Sequence, residues 1–111
     1  MVTINTTKLF DKNLKTLAKK YASLEKDYEK LLNNLKENPL LGTDLGGGLR
    51  KVRMTISAKG KGKSGGARVI TSSAIISINE GTITLLTIYD KSEVSTIKTS
   101  VLKKLKTLFG L

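Results

Sequence analysis

Leu49-Arg50-Lys51-Val52-Arg53-Met54-Thr55-Ile56 is the stretch at which the periodicity of this chain changes. Val52, Met54 and Ile56 alternate with Lys51, Arg53 and Thr55, the two-residue period of a half-buried strand with one apolar and one polar side. Upstream the period is helical. Phe10, Leu14, Leu17, Ala18 and Tyr21 share one helical face, with Thr7 as the expected N-cap. Leu24, Tyr28, Leu31, Leu32 and Leu35 share a second face. Ser23 is the expected cap of that helix, and Asn38-Pro39 ends it because proline disfavours the helical conformation of its predecessor. Val2 to Asn5 reads as a short first strand and Leu40 to Leu49 as a glycine-rich loop. Downstream, Lys59 to Gly66 reads as a flexible hairpin tip. Arg68 to Ile78 is a β-rich run, Glu80-Gly81 a turn, and Thr82 to Tyr89 a further strand. Ile97, Val101, Leu102, Leu105 and Leu108 predict a final amphipathic helix. The order β-α-α-β-β-β-α, with no internal repeat and no linker, predicts one α+β domain over residues 1–111. Its helical hairpin and C-terminal helix pack on a mainly antiparallel sheet.

Composition excludes much of enzymology. The 111 residues include no cysteine and no histidine. That removes thiolate nucleophiles, zinc ribbons, iron–sulfur clusters and the usual acid–base side chain. Acid–base work falls to lysine, tyrosine or a carboxylate, and neither a metal nor a cofactor is expected. The net charge is +11, which points to a polyanionic partner. That excess is concentrated: residues 46–75 carry Arg50, Lys51, Arg53, Lys59, Lys61, Lys63 and Arg68 and no acid.

Gly62-Lys63-Ser64 mimics the end of a phosphate-binding P-loop. The full pattern needs glycine at Ser57 and a helix after the loop; here Gly65-Gly66 and a strand follow. Lys51 and Arg53 share a strand face about 7 Å apart. Antiparallel pairing across the loop would bring Arg68 near them, and Tyr89 and Lys91 complete the concave side. Such a cationic face repels itself unless a polyanion binds. RNA carries its own nucleophile, the 2′-hydroxyl. Metal-free cleavage needs only a base, cations to stabilise the phosphorane charge, and an acid for the leaving 5′-oxygen. Clustered cations depress one another's pKa, so a lysine in such a cluster becomes a usable base. Tyr89 is the one aromatic outside the three predicted helices, too few for serial base stacking.

The runs Leu49–Met54, Lys59–Ile70 and Leu85–Glu93 together resemble the RelE/HigB superfamily of bacterial toxins, in particular its HigB-like branch. Asn38-Pro39-Leu40-Leu41-Gly42 fits the same branch, so the resemblance covers almost the whole chain. It implies a microbial-ribonuclease-like fold and a ribosome-dependent mRNA endoribonuclease acting in the ribosomal A site. It also implies a cognate antitoxin, often of helix-turn-helix type. The family's strand lysine and arginine fall on Lys51 and Arg53, its phosphate-clamping arginine on Arg68, and a later basic residue near Lys91. On this reading Lys51 is base or charge stabiliser, Arg53 and Arg68 are clamps, and Lys91 is acid or stabiliser. Arg50, Lys59, Lys61, Lys63 and Tyr89 would hold RNA. Many relatives carry aromatic residues where this chain has Thr71-Ser72-Ser73.

Two other readings stand beside the nuclease. One is a non-catalytic RNA- or ribosome-binding module that blocks translation by occupancy. The other is a membrane-surface cationic protein, since Lys98, Lys103, Lys104 and Lys106 oppose the apolar stripe of the last helix. The N-terminal residues lack a signal-peptide pattern, and no run approaches the roughly 20 apolar residues of a membrane span. A cytoplasmic protein with no membrane partner is expected.

Overall fold

A computed structural model of the chain describes residues 2–60, 62, 65–77, 80–94 and 96–111. The elements run β1 (Val2–Thr6), α1 (Lys8–Lys20), α2 (Leu24–Glu37), β2 (Thr43–Gly46), β3 (Leu49–Met54), a single 3₁₀ turn (Ser57–Lys59), β4 (Ala67–Ser77), β5 (Glu80–Asp90) and α3 (Thr99–Leu108). One five-stranded sheet has the order β1-β5-β4-β3-β2. Every pairing is antiparallel except that of β1 with β5. The chain is therefore α+β with a mainly antiparallel sheet, as its sequence pattern predicts. Among the described residues, no helix is long and apolar enough to cross a membrane.

Each helix terminus has a local cause. Thr7 is extended, and its hydroxyl accepts from the Phe10 amide at 3.0 Å while donating to the Leu86 carbonyl at 2.7 Å. This one side chain caps α1 and fastens its start to the sheet. Ser23 precedes α2 but does not cap it through its side chain. Its hydroxyl instead donates to Asp27 Oδ2 and accepts from the Ala58 amide, both across short gaps of 2.9 and 2.8 Å. α2 ends at Glu37, one residue before Asn38-Pro39.

Alternation along β3 and β4 sorts the core into two layers. Val52, Met54 and Val69 pack with Phe10, Leu17, Leu24, Leu31 and Leu35 of the helical hairpin. Leu49 and Ile70 point the other way, to Leu102 of α3 and its partly buried neighbours Ile97, Leu105 and Phe109. The sheet thus lies between the hairpin and α3.

Three expectations need correction. The segment Leu40–Leu49 is not simply a loop: Thr43–Gly46 forms an edge strand, with Thr43 opposite Lys51 and Asp44 opposite Arg50. Gly46, Gly47 and Gly48 have φ of +88°, +61° and +82°, a left-handed run that closes a tight hairpin between two strands. Glu80-Gly81 is strand, not turn; Gly81 pairs with Val2 on one side and Ile75 on the other. Two neighbouring strands satisfy its backbone there, and the expected end of β4 at Ile78 lies outside the described residues. In α3 the stripe is rotated. Val101 and Leu108 are 44% and 75% exposed, and Phe109 joins Leu102 and Leu105 on the sheet. The helix starts at Thr99, and its phase follows Leu102, Leu105 and Phe109 at i, i+3 and i+7.

Candidate nucleic-acid interface

A bulge decides what faces α3's side of the sheet. Along β4 and β5 the register passes from Ile70 opposite Thr87 to Thr71 opposite Leu85, leaving Leu86 as an extra residue. An inserted residue reverses the alternation beyond it. Ile83 and Leu85 face the hairpin, and so does Ile88, whereas Tyr89 joins Leu86 on the opposite side. Unbroken alternation from Leu85 would have turned Tyr89 into the hairpin core.

Arg53, Arg68 and Tyr89 consequently form a row across β3, β4 and β5, each directly opposite the next. Lys51 sits two residues before Arg53, with Thr43 opposite it on β2. These side chains, together with Lys91 and Thr96, line a cleft of about 310 Å³. Neighbouring strands lie about 4.8 Å apart, so the cations crowd one another. Arg68, on the central strand, is only 4% exposed, and its Nη1 donates to the Ala67 carbonyl at 3.1 Å. Burial lowers the pKa of its guanidinium and the nearby Arg53 lowers it further. Burial raises the Tyr89 phenol, while Arg68 opposes that rise. Among the described residues no carboxylate lines this cleft.

Five residues singled out from sequence therefore come together: Lys51, Arg53, Arg68, Tyr89 and Lys91. Thr43 and Thr96 join them unforeseen. Thr43 went unseen because β2 reads as loop; Thr96 lies between β5 and α3, where no periodic signal exists.

Two residues expected to hold RNA are engaged elsewhere. Arg50 has the opposite parity to Lys51 on β3. Its Nη1 donates to the carbonyls of Leu40 (2.8 Å) and Gly42 (3.1 Å), so it braces the segment leading into β2. Lys59 is drawn inward. Its ammonium pairs with Asp90 Oδ1 at 2.6 Å and also donates to the Gly65 carbonyl and Ser92 hydroxyl at 3.0 and 3.2 Å. The Lys59 side chain is 12% exposed and that of Asp90 not at all. Lys61 and Lys63 lie outside the described residues.

Asp90 is the reason for this. It ends β5 facing the hairpin, between the cleft residues Tyr89 and Lys91. Besides Lys59 it accepts from Tyr21 Oη at 2.6 Å and from the Ser92 amide and hydroxyl at 2.9 and 2.7 Å. Burial pushes its carboxyl up, but the bonds from Lys59, Tyr21 and Ser92 outweigh that and hold it well below the usual carboxylate range. Asp27 plays the same part on α2. It accepts from the Ser57 amide and hydroxyl at 2.9 and 2.6 Å. Burial again acts upward, and the bonds from Ser57 and Ser23 bring the net shift below the ordinary value. Two buried carboxylates thus fasten the base of the basic loop and are withdrawn from the cleft.

The arrangement suits one kind of ligand. Clustered guanidinium and ammonium groups bind phosphate oxygens through charge-assisted hydrogen bonds. Tyr89 adds one aromatic edge and one phenolic proton. A scan against models of known protein families and a comparison with curated proteins both gave no match to this chain.

Proposed function

We propose that this protein is a RelE/HigB-like toxin whose cleft binds messenger RNA in the ribosomal A site and cuts it without a metal ion. The observation that carries the reading is the convergence of Lys51, Arg53, Arg68, Lys91 and Tyr89 on one cleft to which no described carboxylate contributes. Arg53 and Arg68, opposite one another on β3 and β4, clamp the scissile phosphate. Lys51 takes the 2′-hydroxyl proton, or holds the charge that develops on phosphorus. Lys91, exposed at the end of β5, protonates the leaving 5′-oxygen or stabilises it. The 2′-oxygen forms its bond to phosphorus as the phosphorus–5′-oxygen bond breaks. The products are a 2′,3′-cyclic phosphate (or a 3′-phosphate after hydrolysis) and a 5′-hydroxyl. The ribosome supplies a single strand held in register, which this small cleft cannot impose alone. A toxin of this kind works in the cytoplasm and is neutralised there by a cognate antitoxin, often of helix-turn-helix type in this branch.

The withdrawal of Asp90 into its bonds with Lys59, Tyr21 and Ser92 favours a second reading. With no carboxylate among the described residues of the cleft to serve as base, the protein on this reading arrests translation by occupying the A site without cutting.

Primer extension on a reporter mRNA in a translating extract separates the two. The toxin reading expects cuts within the reading frame that need ribosomes and are lost in Lys51→Gln and Arg53→Gln. Arrest with intact mRNA would establish occupancy instead, and cuts without ribosomes would remove the A-site mechanism.

A further inference from the structure

Arg53 lines more than the cleft. Arg53, exposed and beyond the last β2–β3 pair, also borders a second recess, of about 170 Å³, between α2 and the end of β3. From α2 this recess takes Asp27, Lys30 and Asn34, at i, i+3 and i+7, and hence on one helical face. Thr55 closes it beyond Arg53. Asp27, the one acid among its described lining residues, is 5% exposed and accepts three hydrogen bonds, from Ser57 twice and from Ser23, with the charge of Lys30 also acting on it. Lys30, Asn34 and Arg53, by contrast, make no side-chain hydrogen bond within the fold among the described residues. Their donors stay available around a depression that shares a wall with the cationic cleft.

That sharing bears on the shape of the ligand. A mononucleotide or free phosphate would be served by the cleft alone. A strand that repeats its charge with every residue presents a second phosphate to whatever adjoins the first. Lysine supplies a point charge for it and asparagine an amide donor, the usual pairing partners of phosphate oxygens.

We propose that the RNA held in the cleft continues across Arg53 into this recess, where Lys30 and Asn34 hold a flanking phosphate. The inference rests on the cleft being an RNA site, and it adds the direction in which the strand leaves. Because phosphate contacts position a strand without reading bases, the recess sets affinity and register and does not choose codons.

Fluorescence anisotropy with labelled 2′-O-methyl oligonucleotides, which cannot be cut, tests this. A trinucleotide fills the cleft alone; an octanucleotide reaches the recess. Lys30→Gln combined with Asn34→Ala should weaken octanucleotide binding roughly fivefold and flatten its salt dependence by about one unit of slope. Trinucleotide binding should not change. The inference is overturned if the double variant holds the octanucleotide like wild type. It is equally overturned if Lys12→Gln with Lys15→Gln, exposed on α1, loses as much. A wild-type protein that binds neither oligonucleotide, or a Lys51→Gln variant that binds both undiminished, would instead overturn the cleft reading on which it stands.

Discussion

Replacing Lys59 with methionine should destabilise the protein by about 3 kcal/mol. Methionine keeps the apolar stem and removes only the ammonium. The pair it breaks has side-chain exposures of 12% and 0%. Removing one partner of a buried pair costs about 3–5 kcal/mol, because the other is left charged and dry. Asp90 retains its bonds from Tyr21 and Ser92, which places the loss at the lower end of that range. Urea unfolding at pH 7 measures it, and the slope of the transition should not change. Lys20→Met is the control. It removes a pair with Glu93 whose side chains are 52% and 53% exposed, and the midpoint should not move. The pH dependence gives a second reading. The folded Asp90 carboxyl lies below its unfolded value, so its contribution is complete above about pH 4 and is lost as pH falls further. Without Lys59 that depression shrinks, so the gap between wild type and variant should narrow at pH 3. A loss below about 1 kcal/mol at pH 7, or a gap that is constant with pH, would refute the buried-latch account.

Other positions make equally direct tests. Thr7→Val removes both the cap on Phe10 and the bond to the Leu86 carbonyl, and should cost about 1–2 kcal/mol in thermal or urea unfolding. Gly66→Ala would bring a Cβ to 2.1 Å from the Met54 carbonyl oxygen; backbone on both sides must move, so about 1–3 kcal/mol should be lost, again read by urea unfolding. Arg50→Gln should leave RNA binding and its salt dependence unchanged, because that guanidinium is tied to Leu40 and Gly42, whereas Arg53→Gln should reduce the salt slope by about 1 in anisotropy titrations.

The cationic row was legible in the sequence because it needs only two rules. Residues two apart on a strand share a face, and antiparallel pairing across a loop brings Arg68 back opposite Arg53. Tyr89 lies beside that row for a reason the sequence does not display. Its orientation depends on the extra residue Leu86, and a bulge is a property of register between two strands. Lys59 misleads because lysines among glycines read as a solvated loop. The partner that draws it inward, Asp90, is 31 residues away and ends a strand whose other face is the cleft. Arg50 misleads through its place in a basic run, although its parity on β3 already sets it apart from Lys51 and Arg53. β2 was hidden because it runs into Gly46-Gly47-Gly48, and consecutive glycines read as a loop as readily as the tight turn between strands that their left-handed φ values form. In α3 the apolar residues Val101 and Leu108 fit a helical stripe, yet the sheet selects the neighbouring stripe of Leu102, Leu105 and Phe109.

The proposed cleavage turns on an RNA that supplies its own nucleophile to a cluster of cations. The most direct test is a reporter mRNA carrying a single 2′-deoxynucleotide immediately 5′ of a mapped cut, translated with the wild-type protein present. This cut should disappear while neighbouring cuts persist, and the remaining fragments should begin with a 5′-hydroxyl. Cleavage at the deoxy position, or fragments that begin with a 5′-phosphate, would contradict it.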